Sequence, residues 1–281
     1  MPSIHRTAML HYALISSLVL ICCQRAWGSE KKGVVINRHD FLCDDFKVLN
    51  TSWWYDYQSD VSYYHQHKHC PDIDAHLNKH VSMVWGKHNN LTFPAHTSAI
   101  LLWNEPNFHS QANITPADAA LIWPEVERNS HGRPLVSPAA SPCHTTSKCI
   151  GDSIDWFDEF FRLCTGCRID YLATHSYACH GNTTMAYLKK LYDRYHKKIW
   201  LTEFACPLVN DPHKQLQYMQ ELLPQLEAAP FVYRYSWFKA RVLVSGHVTT
   251  ASTLLHSTTS ALSAVGQYYM NFEPYGHQIV G

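Results

Sequence analysis

Apolar residues fall along this chain in short runs that stop at polar residues. Eight such runs read as strands: residues 33–37, 52–57, 81–86, 99–105, 134–138, 169–177, 198–205 and 232–238. Runs of four or five apolar residues bounded by polar or proline signals mark strands buried on both faces, as in a parallel sheet. Residues 152–164, 185–196 and 212–227 instead place apolar side chains at three-to-four spacing, the pattern of helices packed on a sheet. Another helix start is written in Thr115-Pro116-Ala117-Asp118, where Thr115 caps, Pro116 takes the first helical position and Asp118 closes a capping box. The Ser/Thr-rich stretch 245–263 predicts a last loop, followed by a helix through Tyr269 in which Leu262, Val265 and Tyr269 share a face. Strands alternating with helices predict a parallel sheet with crossover connections. The count of eight predicts a single (β/α)8 TIM barrel, and neither repeat nor linker divides it.

Two runs end on a glutamate: Leu101-Leu102-Trp103-Asn104-Glu105-Pro106 and Ile199-Trp200-Leu201-Thr202-Glu203-Phe204-Ala205. Each carboxylate then sits at the carboxyl end of a strand, the active-site face of a (β/α)8 barrel. They lie 98 positions apart, or about three strand–helix units, so they come from non-adjacent strands and face each other across the barrel mouth. Two carboxyl groups meeting across a cleft are the machinery of glycoside hydrolysis. His175 and Tyr177 end the sixth run. The phenol of Tyr177 reads either as a donor that keeps Glu203 ionised and oriented or as a core tyrosine.

Composition narrows the partner. Residues 1–28 carry His5 and Arg6, an apolar stretch too short to span a bilayer, and Ala26 and Gly28 at the positions a signal peptidase accepts. They read as a signal peptide, leaving residues 29–281 as one secreted barrel with no membrane association after cleavage. Cleavage removes Arg6 and Arg25 and no acidic residue, so a chain of balanced charge becomes faintly acidic. That excludes the basic footprint of a nucleic-acid binder and leaves an uncharged partner. Nine Trp and sixteen Tyr suit a polysaccharide, whose rings dock on flat aromatic faces. A monomer is expected, and no cofactor.

Eight cysteines follow the signal segment: Cys43, Cys70, Cys143, Cys149, Cys164, Cys167, Cys179 and Cys206. An even number in a secreted chain implies disulfides, whose connectivity sequence alone leaves open. Short loops favour Cys143 with Cys149 and Cys164 with Cys167, and Cys179 with Cys206 would join two strand ends across the barrel top. The sequons at Asn50, Asn90, Asn113 and Asn182 are expected glycosylation sites. His65, His67 and His69 alternate beside Cys70 and would share one face of a strand, as zinc ligands do. The segment is polar throughout and reads as a solvated loop, so no metal is expected. The Cys164/Cys167 pair follows a helix rather than opening one, which argues for a structural disulfide over a redox site. Neither a glycine-rich phosphate loop nor a Gly-x-Ser-x-Gly elbow occurs.

The order of motifs resembles glycoside hydrolase family 128, barrels of the cellulase-like clan that act on β-1,3-glucan. The elements are Lys32-Gly33-Val34, Ser52-Trp53-Trp54-Tyr55, Ser82-Met83-Val84-Trp85-Gly86, Asn104-Glu105-Pro106, Gln111-Ala112-Asn113-Ile114-Thr115-Pro116, Val136-Ser137-Pro138-Ala139, Cys164-Thr165-Gly166-Cys167, Thr202-Glu203-Phe204-Ala205 and Arg234-Tyr235-Ser236-Trp237-Phe238. The resemblance implies a retaining hydrolase with Glu105 as general acid/base and Glu203 as nucleophile. It further implies that Asn104 binds the hydroxyl next to the anomeric carbon and that Trp237 forms an aromatic floor for the sugar being cleaved. Trp54, Tyr55 and Trp85 are further platform candidates, or else core. Relatives carry His-Trp-Tyr on the sixth strand where this chain reads His175-Ser176-Tyr177, which removes an expected sugar contact. A catalytically idle β-glucan-binding protein on the same barrel is the alternative function.

Overall fold

The computed structural model describes residues 29–87, 91–145 and 147–274. Among the described residues are eight parallel strands: β1 (Lys32–Val35), β2 (Trp53–Tyr55), β3 (Ser82–Val84), β4 (Ile100–Asn104), β5 (Leu135–Ala139), β6 (Leu172–Ser176), β7 (Ile199–Phe204) and β8 (Val232–Trp237). They pair in the order β2-β1-β8-β7-β6 and β3-β4-β5. Isolated parallel bridges span the two gaps, Trp54 with His80 between β2 and β3, and Val136 with Tyr171 and Ala140 with Thr174 between β5 and β6. The ring is therefore continuous, as a (β/α)8 barrel requires. Every expected strand is found, each shorter than the apolar run that announced it except β5, which has the same length shifted by one residue.

Helices α1 (Pro116–Ser130), α2 (Ser153–Leu163), α3 (Gly181–Tyr195) and α4 (Pro212–Ala228) follow β4 to β7, and α5 (Ala264–Asn271) follows β8. Among the described residues, only 3₁₀ and π turns join β1 to β2 and β2 to β3. The Thr115 hydroxyl accepts from the Asp118 amide as expected, but the Asp118 carboxylate turns to Lys87 at 3.5 Å, so the capping box is half made. An eleven-residue helix such as α2 is marginal alone. It buries Trp156, Phe157 and Phe160 against the barrel, at about 1.5–3 kcal/mol for each such side chain, and packing rather than propensity holds it.

Strand side chains alternate between two cores. Trp53, Tyr55, Met83, Leu101, Val136, Ala173 and Trp200 fill the barrel interior, while Val34, Trp54, Leu102, Leu201, Tyr235 and Trp237 face the helices. Gly33 has no room for a side chain, since a Cβ there would lie 2.3 Å from the indole of Trp53. Ser176 belongs to the outer layer: its hydroxyl lies 3.0 Å from that of Thr184, which in turn meets Tyr218 at 2.7 Å. That contact turns the hydroxyl towards α3 and α4, while the residue itself still borders the cleft at the strand ends.

Two adjacent lysines close the barrel floor. Lys31 Nζ donates to the carbonyls of Leu226, Glu227 and Ala229 at the end of α4, and Lys32 Nζ to those of Tyr269, Met270 and Phe272 at the end of α5. Carbonyls left open at a helix end are satisfied this way, with a cation at the negative pole of the helix. Above, the long loop after β8 is pinned by Arg241, whose side chain and that of Asp45 are each 2% exposed. Arg241 donates to Asp45 Oδ1 at 2.5 Å and to the carbonyls of Asp40, His256 and Thr259, while Asp45 also accepts from Ser260 and from the Leu42 amide.

All eight cysteines pair: Cys43–Cys70, Cys143–Cys149, Cys164–Cys167 and Cys179–Cys206. Alkylation without reduction is therefore expected to label none of them. Reduction should lower the melting temperature, since each bridge contributes about 2–4 kcal/mol. Two or more alkylated cysteines in a mass spectrum would contradict the full pairing. The expected signal peptide, 1–28, and Asn90 lie outside the described residues.

Candidate active site

A cleft of about 1360 Å³ opens at the carboxyl ends of the strands, lined among others by Tyr57, Trp85, Asn104, Glu105, Tyr177 and Phe238. That exceeds the roughly 300–1,000 Å³ of small-ligand pockets, as a polymer segment needs. Both glutamates reach it through irregularities in their strands. On β4 the register against β5 shifts around Trp103, whose φ is +25°, and Glu105 has φ +40°. Leu102 and Trp103 consequently both face outwards and Asn104 and Glu105 both line the cleft. On β7 the register shifts on both sides of Thr202–Glu203, turning the carboxylate inwards between Leu201 and Phe204, which face the helices. Bulges of this kind re-aim side chains beside active sites.

His175 sits between the two carboxylates. Its Nδ1 lies 3.0 Å from Glu105 Oε1 and 3.5 Å from Glu203 Oε2. Burial disfavours charge on this ring, but the charges of Glu203 and Glu105 and the hydrogen bond to Glu105 outweigh it and raise the imidazole pKa. Glu203 is raised above the ordinary 4.5. Burial is the main cause, opposed by the charge of His175, increased by that of Glu105, and opposed again by hydrogen bonds from Tyr177 and Tyr57. The Glu105 side chain is 13% exposed against 5% for Glu203, so Glu105 is the more accessible of the two from the cleft.

Tyr177 donates a short hydrogen bond to Glu203 Oε2, and Tyr57 donates to Oε1 at 2.7 Å. Tyr55 Oη is 3.4 Å from Oε1 but donates at 3.1 Å to the Thr202 carbonyl. Burial first, then the negative charge of Glu203, raises all three phenols well above 10, so they remain neutral donors. Asn104 Nδ2 donates to Gln111 Oε1 at 3.2 Å, and its buried Oδ1 has no partner among the described residues.

Of the residues singled out in the sequence, Glu105, Glu203, Asn104, His175 and Tyr177 come together here, and Trp85 lines the cleft. Trp54 and Trp237 do not. Trp54 is wholly buried against Phe46, Tyr64 and His80, and Trp237 against Phe204, Tyr218 and Tyr269, with its indole donating to the Ser252 carbonyl. Both fall on the outward step of their strands. The inward step after Trp237 is Phe238, which reaches the cleft and packs edge-on to Tyr177. Tyr55 is buried against Glu203 and does not line the cleft. Sequence reasoning passed over Tyr57, Gln111 and Phe238. Period two from Tyr55 would have found Tyr57.

Among the described residues, no group of three metal-ligating side chains is gathered. His65 is 3.2 Å from Asp74, an acidic neighbour that the sequence did not suggest, and His67 packs on Tyr63.

The family model described as "Glycosyl hydrolase catalytic core" matches residues 33–269. An endo-β-1,3-glucanase of glycoside hydrolase family 128 from Pseudomonas viridiflava is 33% identical, covering 88% of this chain and 99% of its own, at a TM-score of 0.72. The chain belongs to that family. A second family 128 endo-β-1,3-glucanase, from Sorangium cellulosum, is 30% identical over 86% of this chain and 98% of its own, TM-score 0.72. Another, from Amycolatopsis mediterranei and solved with laminarihexaose, is 25% identical over 86% and 99%, TM-score 0.68. Alkali-sensitive linkage protein 1 of Schizosaccharomyces pombe is 30% identical over 62% of this chain, which spans only a third of that protein's length. This family 128 glycoside hydrolase thus carries two glutamates, one imidazole and three phenols at the mouth of its barrel.

Proposed function

We propose that this family 128 hydrolase is secreted and cleaves β-1,3-glucan with retention of configuration. The observation that carries the reading is the single His175 nitrogen in reach of both carboxylates. Glu105 Oε1 is hydrogen-bonded to that nitrogen and Glu203 Oε2 lies beside it, so the two oxygens are no farther apart than the two contacts laid end to end. Retention uses carboxyls about 5 Å apart, whereas inversion needs about 6.5–9.5 Å to admit a water.

In the first step Glu203 attacks the anomeric carbon while Glu105 gives its proton to the departing glycosidic oxygen. In the second, Glu105 takes a proton from water, which displaces Glu203 from the sugar. Asn104 Oδ1, held in place through Nδ2 by Gln111, accepts from the neighbouring hydroxyl, a contact that strengthens in the transition state. Trp85 and Phe238, in the lining of the cleft, offer the sugar rings their faces. The glucanase relatives and the laminarihexaose complex support the substrate class.

Four disulfides support an oxidising, extracellular setting. With residues 1–28 as signal peptide, the exposed Asn50, Asn113 and Asn182 are available for glycosylation, as is Asn90 by its sequon. No helix among the described residues is long and apolar enough to cross a membrane. The enzyme works as a monomer without cofactor.

The test is a panel of β-1,3-, β-1,4- and mixed-linkage glucans followed by reducing-sugar release and by the anomeric NMR signal of the first products. Release of β-anomers from β-1,3-glucan is expected. Binding without release would favour glucan recognition instead, and α-anomers would rule out retention. Because Glu203 must be ionised to attack and its pKa is raised, kcat/KM should fall as the pH drops through a value above 4.5. An acid limb at or below 4.5 would contradict this.

A further inference from the structure

We propose that Tyr57 is a positioning residue of the nucleophile, fixing the Glu203 oxygen that faces away from Glu105. The inference rests on the reading of Glu203 as nucleophile. Glu203 Oε2 is the oxygen near the His175 bridge, and Tyr177 holds it. Oε1 has two phenols within reach, but a phenol owns one proton, and that of Tyr55 goes to the Thr202 carbonyl. Tyr57 at 2.7 Å is therefore the donor to Oε1. A carboxylate gripped at one oxygen can still swing about its last torsion, which is broad in glutamate. Gripped at both, it keeps one plane.

The backbone supports a dedicated role. Tyr57 has φ +67°, in the left-handed region that bulky residues avoid. That conformation is pinned on the far side, where Gln58 Nε2 donates to the Tyr57 carbonyl at 2.9 Å and the Met83 amide donates to that of Gln58 at 2.9 Å. A strained residue persists where its surroundings over-determine it, and such residues cluster at active sites. The hydrogen bond from Tyr57 also opposes the burial that raises Glu203.

The experiment compares wild type with Tyr57→Phe, which keeps the ring and loses the hydroxyl, and with Tyr55→Phe. Titration of ¹³C-labelled glutamate carboxyls by NMR is run beside the pH dependence of kcat/KM on a soluble β-1,3-glucan. Tyr57→Phe should move the Glu203 titration and the acid limb together to higher pH. It should also lower kcat about 10- to 100-fold with KM little changed, as loss of a hydrogen bond to a charged group implies. Tyr55→Phe should shift both less. Incorporating 3,5-difluorotyrosine at position 57, a stronger donor, should shift them to lower pH, and this arm retains the side-chain shape if Tyr57→Phe folds poorly. An unmoved Glu203 titration would overturn the proposal. So would a rise in KM alone with the acid limb in place, which would make Tyr57 a sugar contact. The titration needs no substrate: a wild type that hydrolyses no glucan, yet titrates as expected, would refute the glucanase reading and leave the Tyr57–Glu203 bond standing.

Discussion

Glu203→Ala and Glu105→Ala are expected to fail in opposite ways. Loss of Glu105 removes general acid–base help, typically about 10²–10⁴-fold, but leaves a nucleophile able to form the glycosyl enzyme from a substrate with a good leaving group. Azide should then replace water in the second step and yield a glycosyl azide of retained configuration. Loss of Glu203 removes the covalent route, and azide entering the vacated space should attack directly, giving the inverted product. Both carboxylates are in reach of His175 Nδ1, so either alanine also unbalances that buried ring. The asparagine and glutamine variants serve as isosteric controls. NMR of the two azides decides the matter, and a retained azide from the Glu203 variant would reverse the assignment.

The largest effect expected away from the cleft is at the Arg241–Asp45 pair. Removing one partner of a buried pair costs about 3–5 kcal/mol because the other charge stays in the interior uncompensated. Asp45→Ala should therefore lower the denaturation midpoint far more than Lys189→Ala, whose 2.5 Å pair with Asp193 is solvent-exposed and worth about 0–1 kcal/mol. Replacing both Asp45 and Arg241 by apolar residues should restore much of the loss. Chemical denaturation of the single and double variants measures this directly, and a single-variant loss below about 1 kcal/mol would show that the clamp is not what holds the last loop.

The barrel was legible in the sequence because strands buried on both faces must be apolar throughout, and the eight runs give that away. Their length was over-read. Residues such as Ile36, Trp85 and Ala205 continue the apolar pattern after the strand itself has ended. The glutamates were legible for the same reason, a carboxylate ending such a run being conspicuous. The aromatic contacts were not, because a fully apolar strand hides which face each residue takes. Counting in twos from Tyr55 or Ser236 assigns Trp54 and Trp237 to the helix side, whereas the bulges at Trp103 and at Thr202–Glu203 break that count where the two glutamates stand. His175 between both carboxylates, and the pairing of Cys43 with Cys70, depend on chain segments that only folding brings together.

The lysine-capped floor has a practical corollary. Phe272 lies where Lys32 grips the end of α5, on the face opposite the cleft. A solid support joined through a linker there would leave the barrel mouth turned towards the liquid, so immobilised protein should still accept a long polymer. Indiscriminate amine coupling is a poorer choice. The ammonium groups of Lys31 and Lys32 are occupied by carbonyls, while the exposed Lys148 and Lys190 line the cleft, and a bead attached there would stand in the path of the polymer.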